Sequence, residues 1–342
     1  MDPRMSLVLV TGATGFIGAH VVDELLRRGI KVRGTTRSLA KAQQMLRDRP
    51  EFVDNLEFHV INDLAVPGVF DEEAQDVDAI IHVASPIVQD GKENEQAVLI
   101  PAIEGTKSAL NAAKKHPTVK RVVLTSSIAA IFDPERMNDG SITFTSKDWG
   151  PITYEEAKGG NQYLTAYRGA KKFAELAAWD FMKKESPHFD LVTICPSVCF
   201  GPVVHPVSKP SELNLSSSIF WEVVSGADPL PNHGLAAFVD VRDVALAHVE
   251  ALFRPEVGGQ RFIINSSERF SSQLLADTLR KEFAWAREEV TRGNEGEPVP
   301  AEAELEGMTG ARALGIHYRS LKSCILDTAS QLRELFRKEK SA

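Results

Sequence analysis

A chain of 342 residues is long enough to bury a full core as one large α/β unit or two joined lobes. Its 43% hydrophobic and 25% charged residues are those of an ordinary soluble protein, and a net charge of -8 excludes the basic footprint that nucleic acid or anionic lipid would need. No apolar run reaches bilayer length, and neither the nine histidines nor the three cysteines (Cys195, Cys199, Cys324) show metal-ligand spacing, so no nucleic acid, membrane or metal partner is expected and buried thiols fit a cytoplasmic setting.

Short β-rich runs at residues 6–10, 31–36, 56–61, 79–83, 121–125 and 191–195 alternate with helical stretches of crossover length. Near-continuous apolar strands joined this way predict right-handed βαβ units and an α/β fold, a doubly wound parallel sheet of Rossmann type. The rhythm breaks after Cys195, where Pro196, Pro202, Pro206 and Pro210 force extended or turned backbone ahead of a helix at 212–225. A short strand at 238–241 follows, then a helix to Phe253 with Asp243 as its N-cap, and a further strand at 260–264. Helix resumes from Ser271, residues 291–300 form an exposed connector, and an amphipathic helix occupies 321–336. The expected organisation is an NADP-binding Rossmann domain over 1–200 and 237–265, with a smaller substrate-binding lobe over 201–236 and 266–342.

The first strand runs into Thr11-Gly12-Ala13-Thr14-Gly15-Phe16-Ile17-Gly18, with a helical pattern after it. Gly12 permits a tight turn, Gly15 lets a pyrophosphate approach backbone N–H groups at the helix N-terminus, and Gly18 lets helix and strand pack closely. Where an Asp or Glu would bind the ribose 2′-hydroxyl of NAD, the second strand instead ends Thr35-Thr36-Arg37-Ser38, with Lys41 one turn beyond Arg37. Two cations there favour a 2′-phosphate, hence NADPH/NADP+ as cofactor. Asp63 and Leu64, after the third strand, are candidates to bracket the adenine.

The fifth strand ends Leu124-Thr125-Ser126-Ser127, at the edge where open parallel sheets place ligands. Tyr167 and Lys171 stand one helical turn apart, so an ammonium can neighbour a phenol and ease loss of its proton. Joined, Ser127 offers a hydrogen bond to a carbonyl oxygen, Tyr167 a proton and Lys171 a positive charge. Tyr163 shares the helix face but has Tyr167 rather than a Lys four residues on, so it lacks that cation.

With its Gly-x-x-Gly-x-x-Gly, strand-end Ser and Tyr-x-x-x-Lys, nearly the whole chain resembles the extended short-chain dehydrogenases/reductases. The segments Phe238-Val239-Asp240-Val241-Arg242-Asp243-Val244-Ala245, Cys195-Pro196-Ser197-Val198 and Phe200-Gly201-Pro202 resemble the dihydroflavonol reductase-like branch. Within it, Ile131-Phe132-Asp133, Lys171-Lys172-Phe173-Ala174-Glu175 and Asp327-Thr328-Ala329-Ser330-Gln331 are similar to fungal NADPH-dependent aldehyde and ketone reductases of the methylglyoxal/3-methylbutanal type. That resemblance implies catalysis by Ser127, Tyr167 and Lys171, a 2′-phosphate on Arg37 and Lys41, and Pro196 to Val198 beside the nicotinamide. It adds Ala84 and Ser126 to the cofactor set with Thr14, Phe16 and Ile17.

Two positions depart from the branch. Ala170 stands where many relatives have Ser, and Phe132 stands where plant dihydroflavonol reductases place an Asn for their substrate. An apolar wall at Phe132 suits small aliphatic or aryl carbonyls better than a hydroxylated flavonoid. Phe132, Leu164 and Val204 are the candidate substrate-lining residues, with core packing as the competing role. The sequence therefore reads as an NADPH-dependent carbonyl reductase whose partner is a small aldehyde or ketone. An NAD-dependent nucleotide-sugar epimerase or dehydratase and a non-catalytic NADP-sensing protein are the competing functions.

Overall fold

The computed structural model describes residues 5–86, 94–160, 162–232 and 234–337. Its first half runs β1 (Leu7–Thr11), α1 (Phe16–Arg27), β2 (Lys31–Thr36), α2 (Leu39–Arg47), β3 (Leu56–Val60), β4 (Ala79–His82), α3 (Ile100–Lys115) and β5 (Arg121–Thr125). Then come β6 (Thr143–Phe144), α4 (Tyr154–Gly159), α5 (Tyr163–Glu185), β7 (Asp190–Pro196), β8 (Val198–Phe200), α6 (Leu215–Val224), β9 (Phe238–Asp240), α7 (Val241–Phe253) and β10 (Arg261–Ile264). The chain closes with α8 (Ser272–Glu282), α9 (Ala286–Glu289), β11 (Glu304–Leu305), α10 (Met308–Leu314) and α11 (Leu321–Arg337).

Seven parallel strands form the main sheet in the order β10-β7-β5-β4-β1-β2-β3. The alternation of strand residues sorts the helices onto two faces. Val8 and Val10 join the core under α1 and α7, while Leu9, Ile80 and Val122 join the one under α3 and α5. Chain order reverses between β1 and β4, so a crevice opens at their carboxyl ends.

The strand at 238–240 forms where the sequence places it, yet it does not enter the main sheet. It pairs with β8, giving a two-stranded extension beside β7. Phe200 on β8 carries this unit: its ring meets Phe220 of α6 at 5.6 Å and Phe270 at 4.7 Å, and lies over Phe238 of β9 at 6.2 Å. Each such pair adds about 1 kcal/mol beyond the burial of its rings, so one aromatic cluster fastens both later segments to the end of β7.

Two local expectations change. The helix expected at 212–225 starts at Leu215 with Asn214 as N-cap, because Glu212 instead accepts from Ser208 N and Oγ, both at 3.1 Å. The N-cap of α7 is Asp240, whose carboxylate accepts from Arg242 N at 2.8 Å. Asp243 lies inside the first turn and accepts from Arg319 N at 2.7 Å, because its partner comes from the distant end of the chain. No helix among the described residues is long and apolar enough to cross a membrane, and no metal-holding cluster occurs among them.

Candidate active site

The glycine turn lies at the β1–β4 crevice. Gly12 has φ +67, and a Cβ on it would stand 2.9 Å from the Ala84 backbone, so only glycine fits between β1 and the chain leaving β4. Ala84 N donates to Thr11 Oγ1 at 3.2 Å, which fixes the opposite wall. Gly15 is the extended N-cap of the 12-residue α1 and has no side chain to cap it, leaving the first N–H groups of the helix turned toward the crevice. A Cβ on Gly18 would come 2.2 Å from Gly12 O, so the helix can pack on the strand only with glycine there. Thr14 is tied to Thr36 at the end of β2 by a 2.7 Å hydrogen bond between hydroxyls. Phe16 is buried, Ile17 half-buried.

Beyond β2, Arg37 is exposed, and Ser38 caps α2 by accepting from Lys41 N at 3.3 Å. Lys41 lines a groove of about 560 Å³ together with Gln44, Asp48, Val204, His205 and Ser208. Asp63 accepts from Ala65 N at 2.8 Å, a turn contact, and Leu64 packs against Gly105 of α3.

At the reacting end, Ser127 caps the short turn after β5, its Oγ accepting from Ala129 N at 3.1 Å. The Ser127 hydroxyl lies near enough to the Tyr167 phenol to act on its proton affinity. Lys171 lies on the same face of α5, its Nζ 6.0 Å from the Tyr167 ring centre and donating to Thr125 O at 3.2 Å. The three expected residues are therefore in one place, at the carboxyl edge of β5.

Burial pushes the Lys171 amine down to about 8, with the Glu175 carboxylate pulling it back up. The Tyr167 phenol departs from expectation: burial raises it above the ordinary tyrosine range, and the neighbouring Ser127 hydroxyl pulls it part of the way down. Desolvation of the phenolate dominates, so Tyr167 holds its proton at neutral pH.

Pro196 ends β7, and Val198 opens β8 half-buried. Ser126, expected beside the cofactor, directs its hydroxyl elsewhere: Oγ donates to Glu175 at 2.6 Å. Phe132 packs beside the cluster of Ile128, Ile131, Met137 and Phe144, close to Ser127 in the chain. Leu164 is 54% exposed on the first turn of α5. Val204 lines the Lys41 groove rather than the neighbourhood of Lys171, and its carbonyl accepts from Arg49 at 3.0 Å. The side chain of Tyr163 lies outside the described residues. Cys195, Cys199 and Cys324 are buried free thiols, pushed up by burial.

Sequence reasoning gave no site role to Glu175, one turn past Lys171. Its carboxylate is buried and accepts from Thr193 Oγ1 at 2.8 Å, Arg261 Nε at 2.7 Å and Trp179 Nε1 at 3.3 Å, besides Ser126. The i,i+4 spacing from Lys171 was its one available signal.

A profile of the NAD dependent epimerase/dehydratase family matches residues 8–265. The chain belongs to that family. Among its relatives is the NADPH-dependent methylglyoxal reductase GRE2 of Saccharomyces cerevisiae, 37% identical over 340 residues, covering 95% of this chain and 97% of the relative. The ketoreductase azaE of Aspergillus niger is 36% identical over 341 residues, covering 96% and 97%. A crystal structure of yeast methylglyoxal/isovaleraldehyde reductase Gre2 complexed with NADPH superposes with a TM-score of 0.89 at 35% identity, covering 96% of this chain and 98% of that one.

The site fits the family's dinucleotide cofactor on its own geometry. Gly12 and Gly18 let the turn, β4 and α1 pack closely, Gly15 leaves the α1 N-terminus without a side-chain cap, and an exposed Arg37 replaces the carboxylate that would select NAD.

Proposed function

We propose that this protein is an NADPH-dependent carbonyl reductase that converts small aldehydes or ketones to alcohols in the cytoplasm. The observation that carries the proposal is the meeting of Tyr167 and the Lys171 amine with the strand-end Ser127, at the sheet edge that also bears the glycine turn. Likeness to relatives named as NADPH-dependent methylglyoxal reductase and ketoreductase supports the reaction and the cofactor.

In this reading Gly12, Thr14, Gly15, Phe16, Ile17 and Gly18 hold the pyrophosphate side, Arg37 and Lys41 the 2′-phosphate, and Asp63 and Leu64 the adenine. Ala84, Ser126, Pro196 and Val198 border the nicotinamide ribose and ring. When bound, NADPH supplies the hydride. Ser127 donates a hydrogen bond to the carbonyl oxygen, and Tyr167 delivers its phenolic proton to the alkoxide that forms there. Lys171 balances the charge left on the phenolate. Phe132 and Leu164 line the substrate side, with the segments 201–236 and 266–342 as the lobe over it. Val204 instead lines the groove that holds Lys41.

Initial rates of NADPH oxidation against methylglyoxal, branched aldehydes, α-diketones, aryl ketones and β-keto esters test the proposal. Turnover with several of these and little with NADH is expected. Purified protein carrying near-stoichiometric NAD, or NADPH binding with no oxidation across the set, would instead assign it to epimerase-type chemistry or to cofactor sensing.

A further inference from the structure

Lys171 is buried, and a buried ammonium needs a counter-charge to persist. Four elements bring titratable groups to it: Tyr167 and Glu175 on its own helix α5, Cys195 on β7, His82 on β4 and His248 on α7. Burial holds both imidazoles neutral near pH 7, down to about 3 for His82 and about 4 for His248, and holds the thiol protonated. Glu175 is thus the one carboxylate in the set. It shares with Lys171, Thr125 and Ser126 the lining of a pocket of about 10 Å³, room for about one water.

The far side of Glu175 is closed by Arg261 of β10, whose Nε and Nη2 lie 2.7 Å and 3.1 Å from its two carboxylate oxygens. Arg261 in turn stacks on the Trp149 ring at 3.8 Å and donates to Ser146 O at 3.0 Å. One carboxylate therefore pairs with Arg261 on one side and lines the same small pocket as Lys171 on the other, and its second role is to hold Ser126, the residue before Ser127, at 2.6 Å.

We propose that Glu175 is a positioning residue for the reduction: it supplies the counter-charge to the Lys171 ammonium and anchors the Ser126-Ser127 strand end, with Arg261 locking its orientation. The inference rests on the carbonyl-reductase reading of Tyr167 and Lys171. A purely structural Glu175 would affect folding alone, whereas a counter-charge sets the pH at which Lys171 loses its proton. Glu175→Gln removes that charge while keeping the hydrogen-bonding shape.

The experiment is the pH profile of kcat/KM for NADPH-dependent carbonyl reduction in wild type, Glu175→Gln and Glu175→Asp. The alkaline limb is expected to move down by about 1 unit in Glu175→Gln, about a fivefold loss at pH 8, and to stay near wild type in Glu175→Asp. Should Glu175→Gln fail to fold with Arg261 unpaired, the double variant Glu175→Gln/Arg261→Gln removes both charges and is expected to show a smaller downward move, because loss of the Arg261 cation partly offsets loss of the carboxylate. An alkaline limb that coincides with wild type in a folded, NADPH-binding variant overturns the inference. Tyr167→Phe, run alongside, separates the two readings. Its inactivity with an unmoved Glu175→Gln limb sinks Glu175 alone, its full activity sinks the proton-donor role of Tyr167, and a wild type that oxidises no NADPH sinks the reductase reading itself.

Discussion

At Gly12 the backbone is in the left-handed region and a Cβ would meet Ala84 at 2.9 Å, so Gly12→Ala faces strain and collision together. The expected cost is about 1–3 kcal/mol of stability with NADPH affinity lost as well, read by thermal denaturation and fluorescence titration. Arg37 presents a different case, because it is exposed and its removal leaves the fold alone. Arg37→Ala is expected to raise the KM for NADPH about tenfold or more, the loss of one charge-assisted hydrogen bond, while leaving the KM for NADH unchanged. Equal effects on both cofactors would place the 2′-phosphate elsewhere. Tyr167→Phe removes the proton donor and keeps the ring, so NADPH binding is expected to persist while kcat for reduction falls by about 10²–10⁴.

Among the elements, the C-terminal helix α11 is joined to the chain after β8 by a two-way clamp. Gln331 accepts from Val203 N at 2.6 Å and donates to Val203 O at 2.7 Å. Gln331→Ala is expected to lower stability by about 1–3 kcal/mol, measured by urea denaturation, because it strands both backbone groups. This clamp also shows where the sequence was legible and where it was not. The seven main strands, the glycine turn and the Ser127, Tyr167 and Lys171 cluster could be read because each depends on local pattern: an apolar run, a turn residue at a strand end, a one-turn spacing. The N-cap of α7 was misplaced by one turn because Asp243 finds its partner in Arg319, a contact no local pattern encodes. Val204 follows the Phe200-Gly201-Pro202 segment, yet the backbone carries it past the end of α2, where Arg49 holds it. Glu175 showed only its one-turn spacing from Lys171, since the partners that give it meaning arrive from the end of β5, from β7 and from β10.

For the whole molecule, the buried titratable groups set two pH responses. Lys171 is an ammonium below about 8 and loses its proton as the pH rises through that value, so the reductase rate is expected to fall on the alkaline side. His82, His205 and His248 have folded values lowered to about 3, 3 and 4 from 6.5, so the unfolded chain binds more protons between pH 4 and 6.5. Their contribution to stability is complete above pH 6.5 and is lost as the pH falls toward 4. The urea midpoint is accordingly expected to be lower at pH 5 than at pH 7.

The central claim is that the cluster at the carboxyl edge of β5 reduces a carbonyl with NADPH. The most direct measurement follows NADPH consumption and alcohol formation together, with a small aldehyde as substrate. One alcohol formed per NADPH oxidised, at a rate that Tyr167→Phe abolishes, is the result this account predicts. NADPH bound but not consumed, or consumed at an undiminished rate by Tyr167→Phe, would contradict it.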